Sequence, residues 1–280
     1  MSRSMLNRVV LITGAARGIG ESCARAFAVK GARVALCDID LQTAESVAKD
    51  ITDLGGQAHA WSLDVCSRPN WEAVVAAIVK KWGGVDVVVG NAGIMPVGHF
   101  ETITEDVERR QIDINVLGIL HGLHASLPHM RQQGSGHFVH VASIAGRVPS
   151  PYAAVYSATK FAVVGLTESL RHEFNGQGIH FTTIMPGFVQ TELISGLASL
   201  AWPKPNSPED VAAAIVRAVR RKKNRVYVPG YAAILCLAPW LLPHTVLLWF
   251  SGLLGLNTIL KPVDTQARLA YQERTEKRRD

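Results

Sequence analysis

The stretch Val9-Val-Leu-Ile-Thr13 runs without a break into Gly14-Ala-Ala-Arg-Gly18-Ile-Gly20, and no other segment narrows the fold of this chain so far. Such a continuous apolar run reads as a strand buried on both faces, the habit of parallel sheets. Behind the glycines, the spacing of Cys23, Ala24, Phe27 and Ala28 predicts an amphipathic helix. Strand, glycine turn and helix together open a dinucleotide-binding βαβ unit, in which glycines let a pyrophosphate approach backbone amides at a helix N-terminus. The alternative is an ordinary turn between strand and helix.

Alternation continues down the chain. A strand over Arg33 to Cys37 ends at Asp38, about twenty residues beyond the glycine turn, where a carboxylate can accept hydrogen bonds from a ribose 2′-hydroxyl. Asp38 therefore favours NAD over NADP, and Ile39 adds no positive charge beside it. Against this, Asp38 and Asp40 could simply cap the next helix, and Arg17 could attract a 2′-phosphate. Helical patterns over Leu41 to Leu54, Arg68 to Trp82 and Thr104 to Arg131 interleave with strands over Ala58 to Leu63, Val85 to Gly90 and His137 to Ala142. The expected fold class is α/β, a single doubly wound parallel sheet with helices on both faces. Ligands bind at the carboxyl ends of such strands, which brings forward Asp64, Asn91-Ala92-Gly93 and Ser143.

Tyr156 and Lys160 stand one turn apart in a helix-prone run and share a face. A free tyrosine has a pKa of ~10, so it serves as a base at neutral pH only beside a fixed cation, and Lys160 is placed to be one. Ser143 can hydrogen-bond the substrate oxygen that Tyr156 addresses, or it can cap a turn. Asn115 is an amide among Ile112, Ile114, Val116 and Leu117 and needs partners if buried. It could equally be a satisfied core residue or mark a kink. A Gly-x-Ser-x-Gly elbow is missing from the sequence, which disfavours nucleophilic serine chemistry. His121, His124 and His129 have helical spacing, but no carboxylate or cysteine completes a set of ligands, so no metal is expected.

Thr13-Gly14-x-x-x-Gly18-x-Gly20, Asn91-Ala92-Gly93, Asn115, Ser143, Tyr156-x-x-x-Lys160 and Pro186-Gly187 followed by Thr191 together resemble the short-chain dehydrogenase/reductase family, from about Asn7 to Val228. The resemblance implies a Rossmann-like sheet and an oxidoreductase with NAD, NADP being the less favoured cofactor. It makes Tyr156 the general acid/base, with Lys160 lowering its pKa and holding the nicotinamide ribose. Ser143 would orient the substrate oxygen, and Asn115 would hold a water relaying protons to Lys160. Gly14, Arg17, Gly18, Ile19, Gly20, Asp38, Asp64, Val65, Asn91, Ala92, Gly93, Pro186, Gly187, Val189 and Thr191 would surround the cofactor. A homodimer or homotetramer packed through the helices carrying Asn115 and Tyr156 is also implied.

Apolar loops at the same sheet edge predict a lipophilic pocket: Ile94, Met95, Val97 and Phe100, then Ile144, Val148 and Pro149, then Phe188, Leu193, Ile194, Leu197 and Trp202. A steroid, retinoid or long-chain alcohol or ketone is the expected substrate. An NADPH-dependent carbonyl or ketoacyl reductase is one alternative, and a non-catalytic nucleotide sensor that docks to a membrane or partner is another.

The 280 residues, 48% hydrophobic and 19% charged, suffice for one sizeable core. Residues 1–228 are expected to form the catalytic domain, 229–260 a hydrophobic extension and 261–280 a charged, solvent-exposed tail that is helical near Thr265 to Glu276. The net charge of +6 is concentrated in Arg220 to Arg225 and the tail without a nucleic-acid motif, so no nucleic-acid partner is expected. From Val226 to Leu260 there is no formally charged residue. Pro239 and Pro243 interrupt a straight span, so two short helices resting on a membrane, with Trp240 and Trp249 near its interface, are expected. A lid over the pocket and an oligomer interface are the competing readings. The four scattered cysteines, Cys23, Cys37, Cys66 and Cys236, and the absence of an N-terminal export signal fit a cytoplasmic location, peripheral on the membrane face where the extension binds.

Overall fold

The structure is a computed structural model, and it describes residues 4–197 and 205–237 together with Leu241, Pro243, Thr245, Leu260, Gln266, Arg268 and Tyr271. Trp202, Trp240, Trp249 and most of 238–280 lie outside the described residues.

Among the described residues, seven parallel strands form one sheet: β1 (Val9–Thr13), β2 (Arg33–Asp38), β3 (Gln57–Ser62), β4 (Val87–Gly90), β5 (Gly136–Val141), β6 (Ile179–Pro186) and β7 (Arg225–Val228). Their order is β3-β2-β1-β4-β5-β6-β7, so the chain reverses direction across the sheet between β1 and β4. That reversal opens a crevice at the strands' carboxyl ends. Val10 pairs with Val34 on one side and Val87 on the other, which is why β1 carries apolar side chains on both faces.

One face is covered by α1 (Gly18–Ala28), α2 (Leu41–Asp53) and α7 (Pro208–Arg221), whose Phe27, Val47 and Ile215 pack on Val10, Ile12 and Leu36. The other face carries α3 (Arg68–Trp82), α5 (Gly118–Gln132) and α6 (Ala154–Glu173), whose Trp71, Leu123 and Val163 pack on Leu11 and Phe138. Alternation along the strand assigns consecutive residues of β1 to opposite cores. Each fully buried side chain such as Phe27 or Leu36 contributes roughly 2 kcal/mol. The expected α/β class is observed.

The helix read over Thr104 to Arg131 divides into α4 (Glu105–Ile112), a π turn over Asp113–Leu117 and α5. The π turn contains Asn115, so the kink alternative holds there together with burial. β7 is followed by the short α8 (Ala232–Leu235), and no helix among the described residues is long and apolar enough to cross a membrane. The tail departs from its expected exposure: Gln266, Arg268 and Tyr271 are helical, and Arg268 and Tyr271 are 2% and 5% exposed. Their burial follows from polar partners in the loops at the sheet edge, which the charged composition of the tail does not reveal.

Two buried histidines tie the centre of the sheet to its cover. His137 Nε2 lies 2.7 Å from Thr182 Oγ1, and His140 Nδ1 lies 2.9 Å from Thr167 Oγ1. Both hydroxyls donate to backbone carbonyls, of Lys223 and Val163, so each imidazole is the donor to its threonine. Burial lowers both pKa values from 6.5 to about 3. Between those values the unfolded chain binds protons that the folded chain excludes, so stability falls as pH drops from 6.5 towards 3. Denaturant titrations across this range are expected to show a loss approaching about 1.4 kcal/mol per pH unit for each histidine, and His140→Gln to flatten the slope.

Candidate active site

The crevice is built from the first turn outward. Gly14 and Gly18 have φ values of 63° and 57°, and a Cβ on Gly20 would lie 2.0 Å from the Gly14 carbonyl oxygen. Any side chain at Gly20 would drive the turn open. α2, α3 and α7 begin with side-chain caps from Asp40, Ser67 and Ser207, whereas Arg17, which precedes α1, supplies none. The amides at the α1 N-terminus therefore face the crevice without a side-chain acceptor, an arrangement that suits a phosphate.

Asp38 borders this turn. Its carboxylate accepts from Ala16 N at 3.0 Å and from Asp40 N at 2.9 Å, which fixes its orientation at the end of β2. Arg17 is paired with Asp40 at 2.5 Å. Thr191 closes the opposite side, its methyl 3.2 Å from where a Gly18 Cβ would be. Ile19 packs against the core below α1, and Val189 is buried and bridges to Asn206. Asp64 and Val65 follow Leu63, whose amide donates to Asp38 O at 3.0 Å; Asp64 is exposed and accepts from Cys66 N, while Val65 is buried against Gly118.

Asn91 holds strand ends together. Its side-chain amide donates to Thr13 O at 2.9 Å and Gly14 O at 3.2 Å, while Asn91 N and Ala92 N both donate to Thr13 Oγ1 at 3.0 Å. Gly93 follows where a Cβ would come 3.1 Å from Asn115 Oδ1 and 3.6 Å from Lys160 Nζ. Asn115 is fully buried; it accepts from Ile94 N and donates to Ile94 O, both at 2.9 Å, and to Thr159 Oγ1 at 3.1 Å. Its side chain thus fixes the Asn91–Ile94 turn against α6.

α6 presents Tyr156 and Lys160, 7% and 5% exposed. Lys160 Nζ lies 5.5 Å from the Tyr156 ring centroid and donates to Val141 O at 3.0 Å. Ser143, at the end of β5, accepts from Ala145 N at 3.1 Å, donates to Pro186 O at 3.4 Å and hydrogen-bonds the Tyr156 phenol. Gly187 N is held by Val228 O at 2.8 Å. Burial pushes the Tyr156 pKa up to about 12, against the pull of the Ser143 hydrogen bond and with a further push from the Tyr271 phenol. Burial pulls Lys160 down to about 8.

Above Tyr156 lies an apolar cluster of Met95, Val97, Ala145, Ala153 and Leu260, flanked by Phe188, Leu193, Ile194 and Leu197. Six of the twelve expected pocket residues are gathered there, whereas Phe100 is 66% exposed in a 3₁₀ turn and Pro149 is also exposed. Runs of apolar residues behind a strand do not say where the chain turns outward. The sequence reading missed Thr13, Thr159, Arg268 and Tyr271 as site residues. Thr13 sat in the quoted motif, and the other three had no local signal.

A family model for short chain dehydrogenase matches residues 8–199. The chain is 35% identical over 229 residues to an uncharacterized oxidoreductase of Listeria innocua, covering 78% of this chain and 92% of that one. It is 36% identical over 193 residues to the 3-alpha-(or 20-beta)-hydroxysteroid dehydrogenase of Mycobacterium tuberculosis, covering 69% and 73%. With the 17-beta-hydroxysteroid dehydrogenase 13 of Rattus norvegicus it shares 32% over 249 residues, covering 88% and 82%. A crystal structure of a short chain dehydrogenase/reductase from Burkholderia phymatum in complex with NAD has the same fold, with a TM-score of 0.76 at 24% identity, covering 84% and 94%. The chain belongs to the short-chain dehydrogenase/reductase family and is an oxidoreductase of CH–OH groups.

Proposed function

We propose that the chain interconverts a lipophilic secondary alcohol and its ketone with NAD as cofactor, Tyr156 exchanging the hydroxyl proton. The observation that carries the substrate class is the apolar cluster of Met95, Val97, Ala145, Ala153 and Leu260 around the one phenol that Ser143 and Lys160 flank. The hydroxysteroid dehydrogenases among its relatives support the same class.

The residues fit a dinucleotide. The glycine turn and α1 N-terminus would hold its pyrophosphate, Asp38 its adenosine ribose, and Thr191, Pro186 and Gly187 the nicotinamide end. Arg17, spent on Asp40 beside Asp38, would offer a 2′-phosphate two carboxylates to oppose it, and this favours NAD. When bound, the nicotinamide supplies the hydride acceptor or donor.

The chain's own residues handle the proton. At neutral pH Tyr156 is the acid form, suited to donate to a nascent alkoxide in reduction. To accept a proton in oxidation it must ionise inside a buried site, and the Lys160 ammonium and the Ser143 hydroxyl are the groups that stabilise the phenolate. Ser143 also holds the substrate oxygen next to the phenol. Asn115 keeps the Asn91–Ile94 turn in place, and its role in a water relay to Lys160 belongs to this proposal as well.

Ile112, Leu117 and Phe161 are exposed apolar residues on the segments carrying Asn115 and Tyr156, which supports a homodimer or homotetramer through those helices. The catalytic unit of residues 1–228 is completed by the extension and the tail. Leu260 beside Tyr156 supports a lid for part of the extension, while exposed Ile234, Leu235, Leu237 and Leu241 support contact of another part with a cytoplasmic membrane face.

Following absorbance of the reduced nicotinamide over steroid, retinoid and aliphatic alcohols should reveal NAD-linked turnover, reduced about 10²–10⁴-fold by Tyr156→Phe. Faster turnover with NADPH than with NADH refutes the role of Asp38. kcat/KM should rise with pH for oxidation and fall for reduction across the alkaline range, since one direction needs the Tyr156 base and the other its acid.

Lys160 carries a cost. Its folded pKa of about 8 lies below the ordinary 10.5, so the unfolded chain binds the extra proton between these values and the penalty is full below pH 8. Lys160→Met should therefore abolish turnover while stabilising the fold at pH 7, by at most about 3 kcal/mol. An unchanged or lower unfolding midpoint for that variant would show the ammonium to be better compensated than its burial implies.

A further inference from the structure

The tail reaches the active site through two residues with no part in the sequence motifs. Arg268 is 2% exposed and donates from Nη1 to Leu193 O at 2.8 Å and, more distantly, to Ser195 O at 3.5 Å. Its Nη2 donates to Met95 O. Leu193 and Ser195 follow β6, and Met95 follows β4, so one guanidinium joins the two loops that flank the Tyr156 cluster. Tyr271, one turn further on, accepts from Met95 N at 3.0 Å through its hydroxyl, and the guanidinium carbon lies 4.6 Å from its ring centroid. Met95 thus has both backbone polar groups bound by the tail. Leu260, 4% exposed, packs into the same cluster as Tyr156.

These contacts differ from ordinary surface docking. The groove floor is tied by bonds within the sheet and α6, whereas the loops above it receive these polar ties from the tail. A guanidinium, planar and with five N–H groups in a fixed fork, can satisfy carbonyls from two loops at once, which an ammonium on a flexible stem cannot do with the same geometry. Burial lowers the Arg268 pKa, and the Nε of Arg268 has no hydrogen-bond partner among the described residues. Burying the charge this deeply is costly unless the backbone oxygens it meets are held in place, so tail and loops order one another.

We propose that Arg268 is the latch that fixes the two substrate loops, and that Tyr271 forms the closed end of the substrate pocket. Arg268 is then a positioning residue and Tyr271 a specificity-determining one. The assignment rests on the lipophilic-substrate reading above and adds to it the part of the chain that sets how long a substrate can be. The glycine turn and Asp38, on the cofactor side, receive no bond from Arg268 or Tyr271 among those described.

The test combines hydrogen exchange with kinetics on the full chain. In Arg268→Gln, amides of residues 94–98 and 193–197 should exchange about tenfold faster or more, while peptides of β4 and β5 keep their protection. NADH affinity should be unchanged, and KM for a straight-chain secondary alcohol should rise about tenfold with kcat nearly constant. Arg268→Lys should not restore the loops, because it lacks the fork. Tyr271→Ala should move the preferred chain length of such alcohols upward, an outcome that mere loss of stability does not produce. Tyr271→Phe, the milder change, should release the Met95 amide. Unchanged loop protection in Arg268→Gln, or an unchanged length profile in Tyr271→Ala, overturns the proposal. If no alcohol is turned over by the native chain but the loops still lose protection in Arg268→Gln, the substrate reading fails and the latch stands.

Discussion

Everything at the carboxyl edge of the sheet depends on how β1 and β4 are joined where the chain reverses direction. At that point the backbone leaves the ladder, and its polar groups must find other partners or be buried unpaired. Thr13 Oγ1 takes two of them, the amides of Asn91 and Ala92, and the Asn91 side chain returns bonds to Thr13 O and Gly14 O. Two side chains thereby close both strand ends and hold the glycine turn beside the Asn91–Ile94 turn. The crevice exists because these ends are satisfied sideways, which leaves the α1 N-terminus facing the gap.

From there the site is a sequence of supports, each resting on the previous one. The Asn91–Ile94 turn is gripped by Asn115, Asn115 is gripped by Thr159, and Thr159 stands between Tyr156 and Lys160 on α6. The π turn explains how Asn115 reaches both: a regular helix through Asp113–Leu117 would present a different residue to Ile94. Tyr156 and Lys160 are then both buried, which moves the pKa of the first upward and that of the second downward. Stability is given up at Lys160, whose charged form burial disfavours, whereas Tyr156 is neutral at pH 7 and carries no such cost there.

How much of this is legible in the sequence follows the range of the interactions. The glycine turn, Asp38 and the Tyr156/Lys160 pair are local patterns, set by strand and helix periods over a few residues, and each occupies the element expected of it. Asn115 was visible as an anomaly, an amide among aliphatics, but its partners Ile94 and Thr159 are tertiary and leave no mark on spacing. Phe100 shows the converse failure, since an apolar residue in a loop carries no information about which way the loop turns. Arg268 is the extreme case. A tail of this composition reads as solvated, and only the folded loops after β4 and β6 provide the carbonyls that make its burial tolerable.

The sheet edge and the loops above it are held by bonds from different parts of the chain. Lys160 and Ser143 are fixed by side-chain to backbone bonds to Val141 and Pro186, and their positions follow from the sheet itself. Around the apolar cluster, the backbone oxygens of Met95, Leu193 and Ser195 converge on a side chain from outside the sheet. The Lys160 bond to Val141 O and the bonds between Thr13 and Asn91 run within the sheet, whereas Tyr156 shares its cluster with Leu260 and feels the Tyr271 phenol, so the tail reaches Tyr156 as well as the loops. The sheet therefore sets where Lys160 and the glycine turn stand, and the last part of the chain bears on the variable loops and on the phenol beneath them.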